Sequence, residues 1–131
     1  MFKIDDRTYD IICRQGDTGE YPIEGLPTEG INNALVYLSF YNNKRVILSE
    51  ISVEPDIEGN AKFYIPSEMT DKLTVPSGAS SATYYYGLKL CYKDNEEKDW
   101  EDTLVINGKK AEDVNKIIVY PKIVEGGVTN E

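Results

Sequence analysis

From Tyr84 to Tyr92 the side chains alternate: Tyr84, Tyr86, Leu88, Leu90 and Tyr92 are large and apolar, and Tyr85, Gly87, Lys89 and Cys91 fall between them. Successive side chains of a strand point to opposite faces, so this period of two sets five large residues against a core and excludes a helix, whose period is 3.6. The same alternation recurs in shorter runs, and no long helical period competes with it. The fold class that follows is all-β, an immunoglobulin-like antiparallel β-sandwich with one short helix.

Nine segments carry the strand pattern: 2–4, 8–14, 20–24, 34–41, 46–53, 61–65, 82–92, 101–106 and 116–120. Turn-forming residues separate them, including 25–33, Asn42-Asn43-Lys44, 54–60, Asp94-Asn95 and Asn107-Gly108. Asn42-Asn43-Lys44 lies between two strongly patterned runs, so 34–41 and 46–53 are expected to form a hairpin with Val36, Leu38 and Phe40 facing inward. In Arg14-Gln15-Gly16-Asp17-Thr18-Gly19, the two glycines supply permissive dihedrals and Asp17 and Thr18 can hydrogen-bond the local backbone, which predicts a tight connection. The exception to β is 67–73, where Ser67 can cap a helix of about two turns and Met69 and Leu73 lie four apart on one side. The Ser-rich loop from Thr74 to Ser81 then leads into the longest strand.

Alternation also sorts the cysteines and aromatics. Cys13 falls in register with Tyr9 and Ile11 on the expected core side, whereas Cys91 shares its face with Gly87 and Lys89. Thiols on opposite faces do not pair easily, so both are read as structural free thiols. Tyr84, Tyr86 and Tyr92 take the core face, and Trp100, in parity with Leu104 and Ile106, is expected in the core. Tyr37, Tyr41 and Tyr85 fall on the opposite faces of their strands and are the interface candidates, since tyrosine is enriched where proteins meet.

Charge narrows the function classes. Asp and Glu number 23 against 14 Lys and Arg, a net charge of −9, which repels nucleic acid and anionic membrane surfaces. The chain opens Met1-Phe2-Lys3-Ile4-Asp5-Asp6, and no segment approaches the ~20 apolar residues that span a bilayer, so it is expected to fold in a cytoplasm. Histidine is absent, which removes the commonest general base and metal ligand. Neither a phosphate-cradling loop nor a dinucleotide glycine pattern occurs, and no catalytic, cofactor or metal residue is assigned. The acidic run Asp94, Glu96, Glu97, Asp99, Glu101 and Asp102 lacks the spacing of a calcium loop and reads as a solvated hairpin tip. At 131 residues the chain forms one sandwich domain over 1–123, followed by a flexible tail over 124–131.

Taken in order, several motifs carry a resemblance: Arg14-Gln15-Gly16-Asp17-Thr18, the strand pair 36–40 and 46–53, the helix 69–73, the strand 84–90, Thr103-Leu104-Val105-Ile106-Asn107-Gly108, and the last strand at 117–120. The chain resembles a family of small phage and prophage proteins of Gram-positive hosts, similar to the N-terminal domain of the phage baseplate upper protein. It departs from that pattern at Gly78, displaced by inserted Ser and Ala, and at Ala111-Glu112-Asp113. The resemblance implies a non-enzymatic virion structural protein, a tail or baseplate adaptor working by protein–protein assembly. Its partners would be other tail proteins and further copies of itself, with host cytoplasm as the site of assembly and the virion as destination. Two rivals remain: a carbohydrate-binding module recognising host wall glycan through Tyr37, Tyr41 or Tyr85, and a phage-encoded regulator that binds a host protein.

Overall fold

The computed structural model describes residues 1–104 and 115–123. The elements run β1 (Lys3–Ile4), β2 (Ile11–Arg14), β3 (Gly19–Ile23), β4 (Asn32–Tyr41), β5 (Ile47–Val53), β6 (Ala61–Ile65), α1 (Ser67–Asp71), β7 (Ala82–Lys93), β8 (Asp99–Leu104) and β9 (Asn115–Tyr120). One sheet has the order β1-β2-β9-β7-β4-β5, with β8 also on β7, and β3 pairs with β6 in a second. The fold is an all-β sandwich with one short helix. The expected segments 105–106, Asn107-Gly108, 111–113 and 124–131 lie outside the described residues.

The long alternating strand organises the large sheet. One edge of β7 is taken by β4, with Val36 opposite Leu90, Leu38 opposite Leu88 and Phe40 opposite Tyr86. Its other edge is used twice: 82–86 pair with β9 and 88–93 with β8, so β8 and β9 lie end to end along it. The β4–β5 hairpin forms as expected. The sheet is not wholly antiparallel, because β2 runs parallel to β9, with Ile11 opposite Ile117 and Cys13 opposite Val119. That pairing joins residues more than a hundred positions apart, which no local turn signal can announce.

The inner faces meet in one core. Ile11, Cys13, Val36, Leu38, Phe40, Tyr86, Leu88, Leu90, Ile117 and Val119 come from the large sheet, Tyr21, Phe63 and Ile65 from the small one, and Met69 and Leu73 from the helical segment. Each such side chain contributes roughly 1.5–3 kcal/mol of transfer free energy before chain entropy is subtracted. Two tyrosines of β7 fasten the layers. The Tyr84 hydroxyl donates to the Thr74 carbonyl at 2.6 Å, the tyrosine-corner arrangement at the entrance of the strand. Two residues on, Tyr86 meets Tyr21 of the opposite sheet, with 2.7 Å between hydroxyls and 5.3 Å between ring centroids.

The Arg14–Thr18 turn is a joint between elements. Gly16 takes φ 90°, Asp17 N–H bonds the Arg14 carbonyl, and Asp17 Oδ2 accepts from Arg14 N–H and the terminal ammonium. Thr70 Oγ1 donates to the Asp17 carbonyl at 2.6 Å and Gln15 Nε2 to that of Asp71 at 2.8 Å, which ties α1 to the turn. Gly19 keeps ordinary dihedrals; it must be small because the Phe2 ring lies where a Cβ would sit, 2.2 Å from Cγ.

Three other turns share one design. Asn42, Asp56 and Asp94 each accept two backbone N–H groups on Oδ1, from the residues two and four positions on. The fourth residue of each, Arg45, Gly59 and Glu97, is left-handed at φ 63°, 82° and 66°. A carboxylate or amide that mimics backbone closes each turn, and the positive φ turns the chain back along the next strand.

Two expectations are corrected. Tyr9 is not on the core side: it is the left-handed residue, at φ 60°, of the Asp5–Asp10 turn, before β2 begins, and it is exposed. Ser67 does not cap α1; Pro66 occupies the cap position, no side chain caps the helix, and the helix is five residues long.

Candidate interaction surface

The three interface candidates all fall on the outer face of the large sheet, opposite the core. Tyr41 of β4 stands beside Tyr85 of β7, and their rings stack at 6.3 Å with 27° between planes. The Tyr41 ring also lies over Gly87, the next outward position along β7, where a Cβ would stand 3.7 Å from it. Tyr37 is four residues back along β4, about 13 Å away at the rise of a strand, and sits between Ser52 and Lys89. The structure therefore brings two of the three together and leaves the third separate on the same face. Between them Ser39 donates to Glu50 Oε2 at 2.6 Å. Ile47, opposite Tyr41 across the β4–β5 pair, extends the apolar strip and is 56% exposed. All three tyrosines are half-buried, and burial raises the pKa of the Tyr41 phenol.

The outer face continues onto the β7–β8 hairpin as ion pairs. Lys89 meets Glu101 at 3.0 Å and Lys93 meets Asp99 at 2.9 Å. The Glu101 hydrogen bond raises the Lys89 pKa, so the lysine stays charged. Cys91, opposite Glu101 on this face, is a free thiol whose pKa is raised by burial and then by Glu101. A thiol held protonated is a poor nucleophile. Cys13 is free as well, and burial pushes it up to about 12.

Trp100 is not in the core. Its parity is as expected, since it pairs with Tyr92 on the face that carries Leu88 and Leu90, but it is 48% exposed. About half of the ring stays open to solvent, so the inner face is without a full cover here. Asp94 Oδ2 accepts the indole N–H at 2.9 Å and fixes the ring. This bond, together with the turn N–H groups, lowers the Asp94 pKa. Asp102 shares the same face, opposite Leu90 and beside the Tyr92 hydroxyl. The acidic run is thus divided by alternation: Glu101 and Asp99 neutralise lysines outside, Asp94 builds the turn, and Asp102 accompanies Tyr92 and the exposed Trp100 inside.

Among the described residues, no group of three or more His, Cys, Asp or Glu is placed to hold a metal ion, and no helix is long and apolar enough to cross a membrane. Sequence reasoning missed the Trp100 platform because alternation reports a side chain's face and not what lies above it. The available signal was the crowding of Asp and Glu around the hairpin tip, more charge than a covered core position tolerates. No protein-family model matches the chain, and no curated protein matches it in sequence.

Proposed function

We propose that this chain is a non-enzymatic assembly module that works by protein–protein contact, serving as a structural component of a phage or prophage tail or baseplate. The observation that carries the assembly reading is the outer face of the large sheet, where the Tyr41–Tyr85 stack, Tyr37 and Ile47 form a broad half-exposed surface on a rigid scaffold. Tyrosines on a preformed sheet lose little side-chain entropy on binding and present apolar area with a polar rim, the composition of a binding hot spot. The virion setting rests on the order of motifs along the chain, from Arg14–Thr18 through Thr103–Gly108 to the last strand at 117–120.

Immunogold electron microscopy of purified particles, with antibody raised against this chain, tests the setting. Gold at the distal tail is expected. Unlabelled particles alongside a reactive infected lysate would exclude the virion and favour a regulator. Tyr37→Ala and Tyr85→Ala test the face: each is expected to reduce incorporation severalfold while the variant keeps wild-type circular dichroism, and unchanged incorporation of both would remove this surface from the assembly.

A further inference from the structure

The antiparallel course of β4 and β7 places their two hairpin turns at opposite ends of the large sheet: 42–46 beside the start of β7, and 94–98 beside the start of β4. Charge is sorted between these ends. The loops 24–31, 54–60 and 94–98, which all close at the same end, hold two, three and three carboxylates, with Lys98 as their one cation. The 42–46 turn holds Lys44 and Arg45 and no carboxylate, and both side chains are exposed. Beside them Val46 and Ile47 are 54% and 56% exposed.

The acidic end carries a receptor for such a tip. Trp100 has its only hydrogen-bond donor committed to Asp94, so what it offers is its ring face. Tyr92 lies across from it, and Asp102 projects from the same side of the hairpin. The hairpin's strand lysines, Lys89 and Lys93, are on the other side and occupied by Glu101 and Asp99. An aromatic ring beside a carboxylate, with Lys89 and Lys93 turned to the other face, suits a guanidinium, which stacks on indole and forks onto a carboxylate. The donor tip is pre-organised, because Asn42 Oδ1 holds the turn through the N–H groups of Lys44 and Val46. Ordering it on contact therefore costs little entropy.

We propose that copies of this chain associate head to tail, the 42–46 turn of one copy setting Arg45 on Trp100 and Asp102 of the next, with Val46 and Ile47 against the exposed Trp100 ring and the half-buried Tyr92. This names one partner within the assembly reading, a second copy, and it is tested in solution without particles, so the two can fail separately. The contact is heterologous: each copy keeps one free tip and one free receptor, so it propagates to a ring or a filament.

Sedimentation of the full chain over a concentration series at low salt is the test. The average mass of the wild type is expected to rise above the 14.8 kDa monomer with concentration and to fall back with added salt. Lys44→Glu/Arg45→Glu removes the tip and Trp100→Ala/Asp102→Lys removes the receptor. All four positions are exposed, so both variants are expected to fold, with wild-type circular dichroism, and to associate at least tenfold more weakly. Mixed in equal amounts, the two variants are expected to stop at twice the monomer mass, since only one intact tip and one intact receptor remain in each pair. A wild type that stays monomeric into the millimolar range would overturn the proposal, as would variants that assemble like wild type. A mixture that fails to dimerise while the wild type assembles would overturn the tip-to-receptor pairing. A monomeric wild type whose Trp100 fluorescence is quenched by an Arg-rich peptide would overturn the second copy in favour of another basic partner.

Discussion

The Tyr21 hydroxyl donates to Tyr86 Oη across the core, and the order of donation is fixed by what lies beyond: Tyr86 itself donates to the Tyr9 carbonyl, which can only accept. The chain of bonds joins the smaller sheet, the long strand of the larger one and the turn that precedes β2. Tyr86 lies two residues past Tyr84, whose hydroxyl donates to the Thr74 carbonyl. A hydrogen-bonded pair of phenols ties the layers without needing an oxidising compartment.

Because the donation runs one way, the two tyrosines are not equivalent. Tyr86→Phe leaves the Tyr21 hydroxyl without its acceptor and the Tyr9 carbonyl without its donor, and should cost about 1–3 kcal/mol. Tyr21→Phe removes only the terminal donor and should cost about 0.5–1.5 kcal/mol. The double variant should lose less than the sum, since the bond between them is counted in both single losses. Urea denaturation of the four proteins gives the cycle, and strict additivity would mean the hydroxyls are not coupled.

Burial also sets the response to pH. The Tyr21 pKa is pushed up to about 12 by burial, Cys13 to about 12 by burial and then by Asp17, and Tyr86 is raised further still. A group whose folded pKa is raised gives stability that is whole below its unfolded pKa and is lost as pH climbs toward the folded value. Stability should therefore hold to about pH 9, the ordinary thiol value, and fall between there and about pH 12. On the acid side Asp5 and Asp94 are lowered by hydrogen bonds, Asp5 by the Thr8 and Arg7 amides and Asp94 first by the Trp100 indole. Their contribution should be present above the unfolded value of 3.8 and fade below it. Phenolate absorbance followed beside circular dichroism checks the alkaline limb: the last tyrosines should ionise only as the sandwich unfolds, and complete ionisation with native dichroism would contradict the burial argument.

The turns predict opposite effects for glycine. Gly59 is left-handed, and a Cβ there would stand 2.3 Å from the Leu26 carbonyl oxygen, so Gly59→Ala should cost about 2–4 kcal/mol in strain and displacement. Glu97 occupies the same position of the same turn design with a side chain it has to accommodate, so Glu97→Gly should gain about 0.5–1 kcal/mol. Thermal unfolding of both variants reads the signs directly, and a loss at Glu97→Gly would mean its side chain contributes more than its backbone costs.

Much of this architecture was legible in the residues. Inward placement of Val36, Leu38, Phe40, Tyr86, Leu88 and Leu90 follows from period two alone, and the β4–β5 hairpin from Asn42-Asn43-Lys44 between two patterned runs. Tyr9 departs from the alternation because its positive φ ends the period before β2 begins. Ser67 failed because Pro66 already held the extended conformation that precedes a helix. The parallel β2–β9 pair and the division of one β7 edge between β8 and β9 depend on partners distant in sequence, where no local preference speaks. Alternation alone puts Tyr37, Tyr41 and Tyr85 on the outer face, but the stacking of only two of them follows from the register of β4 on β7.

Asp94 is the residue on which turn and platform both depend. Its Oδ1 holds the Glu96 and Lys98 N–H groups and its Oδ2 the indole of Trp100, the one tryptophan of the chain. Asp94→Ala should lower the melting temperature by several degrees and shift the tryptophan emission, because the indole loses its acceptor and the turn its closure. Asp94→Asn is the sharper probe. Asn42 closes the equivalent turn with an amide oxygen, so the turn should survive in Asp94→Asn with most of its thermal stability. With the amide oxygen on the turn, its nitrogen would face the indole N–H, donor against donor, and the emission should still shift. Stability retained with altered emission would separate the two roles. A loss of stability equal to that of Asp94→Ala would show instead that the carboxylate charge, and not the geometry it shares with Asn42, holds this hairpin together.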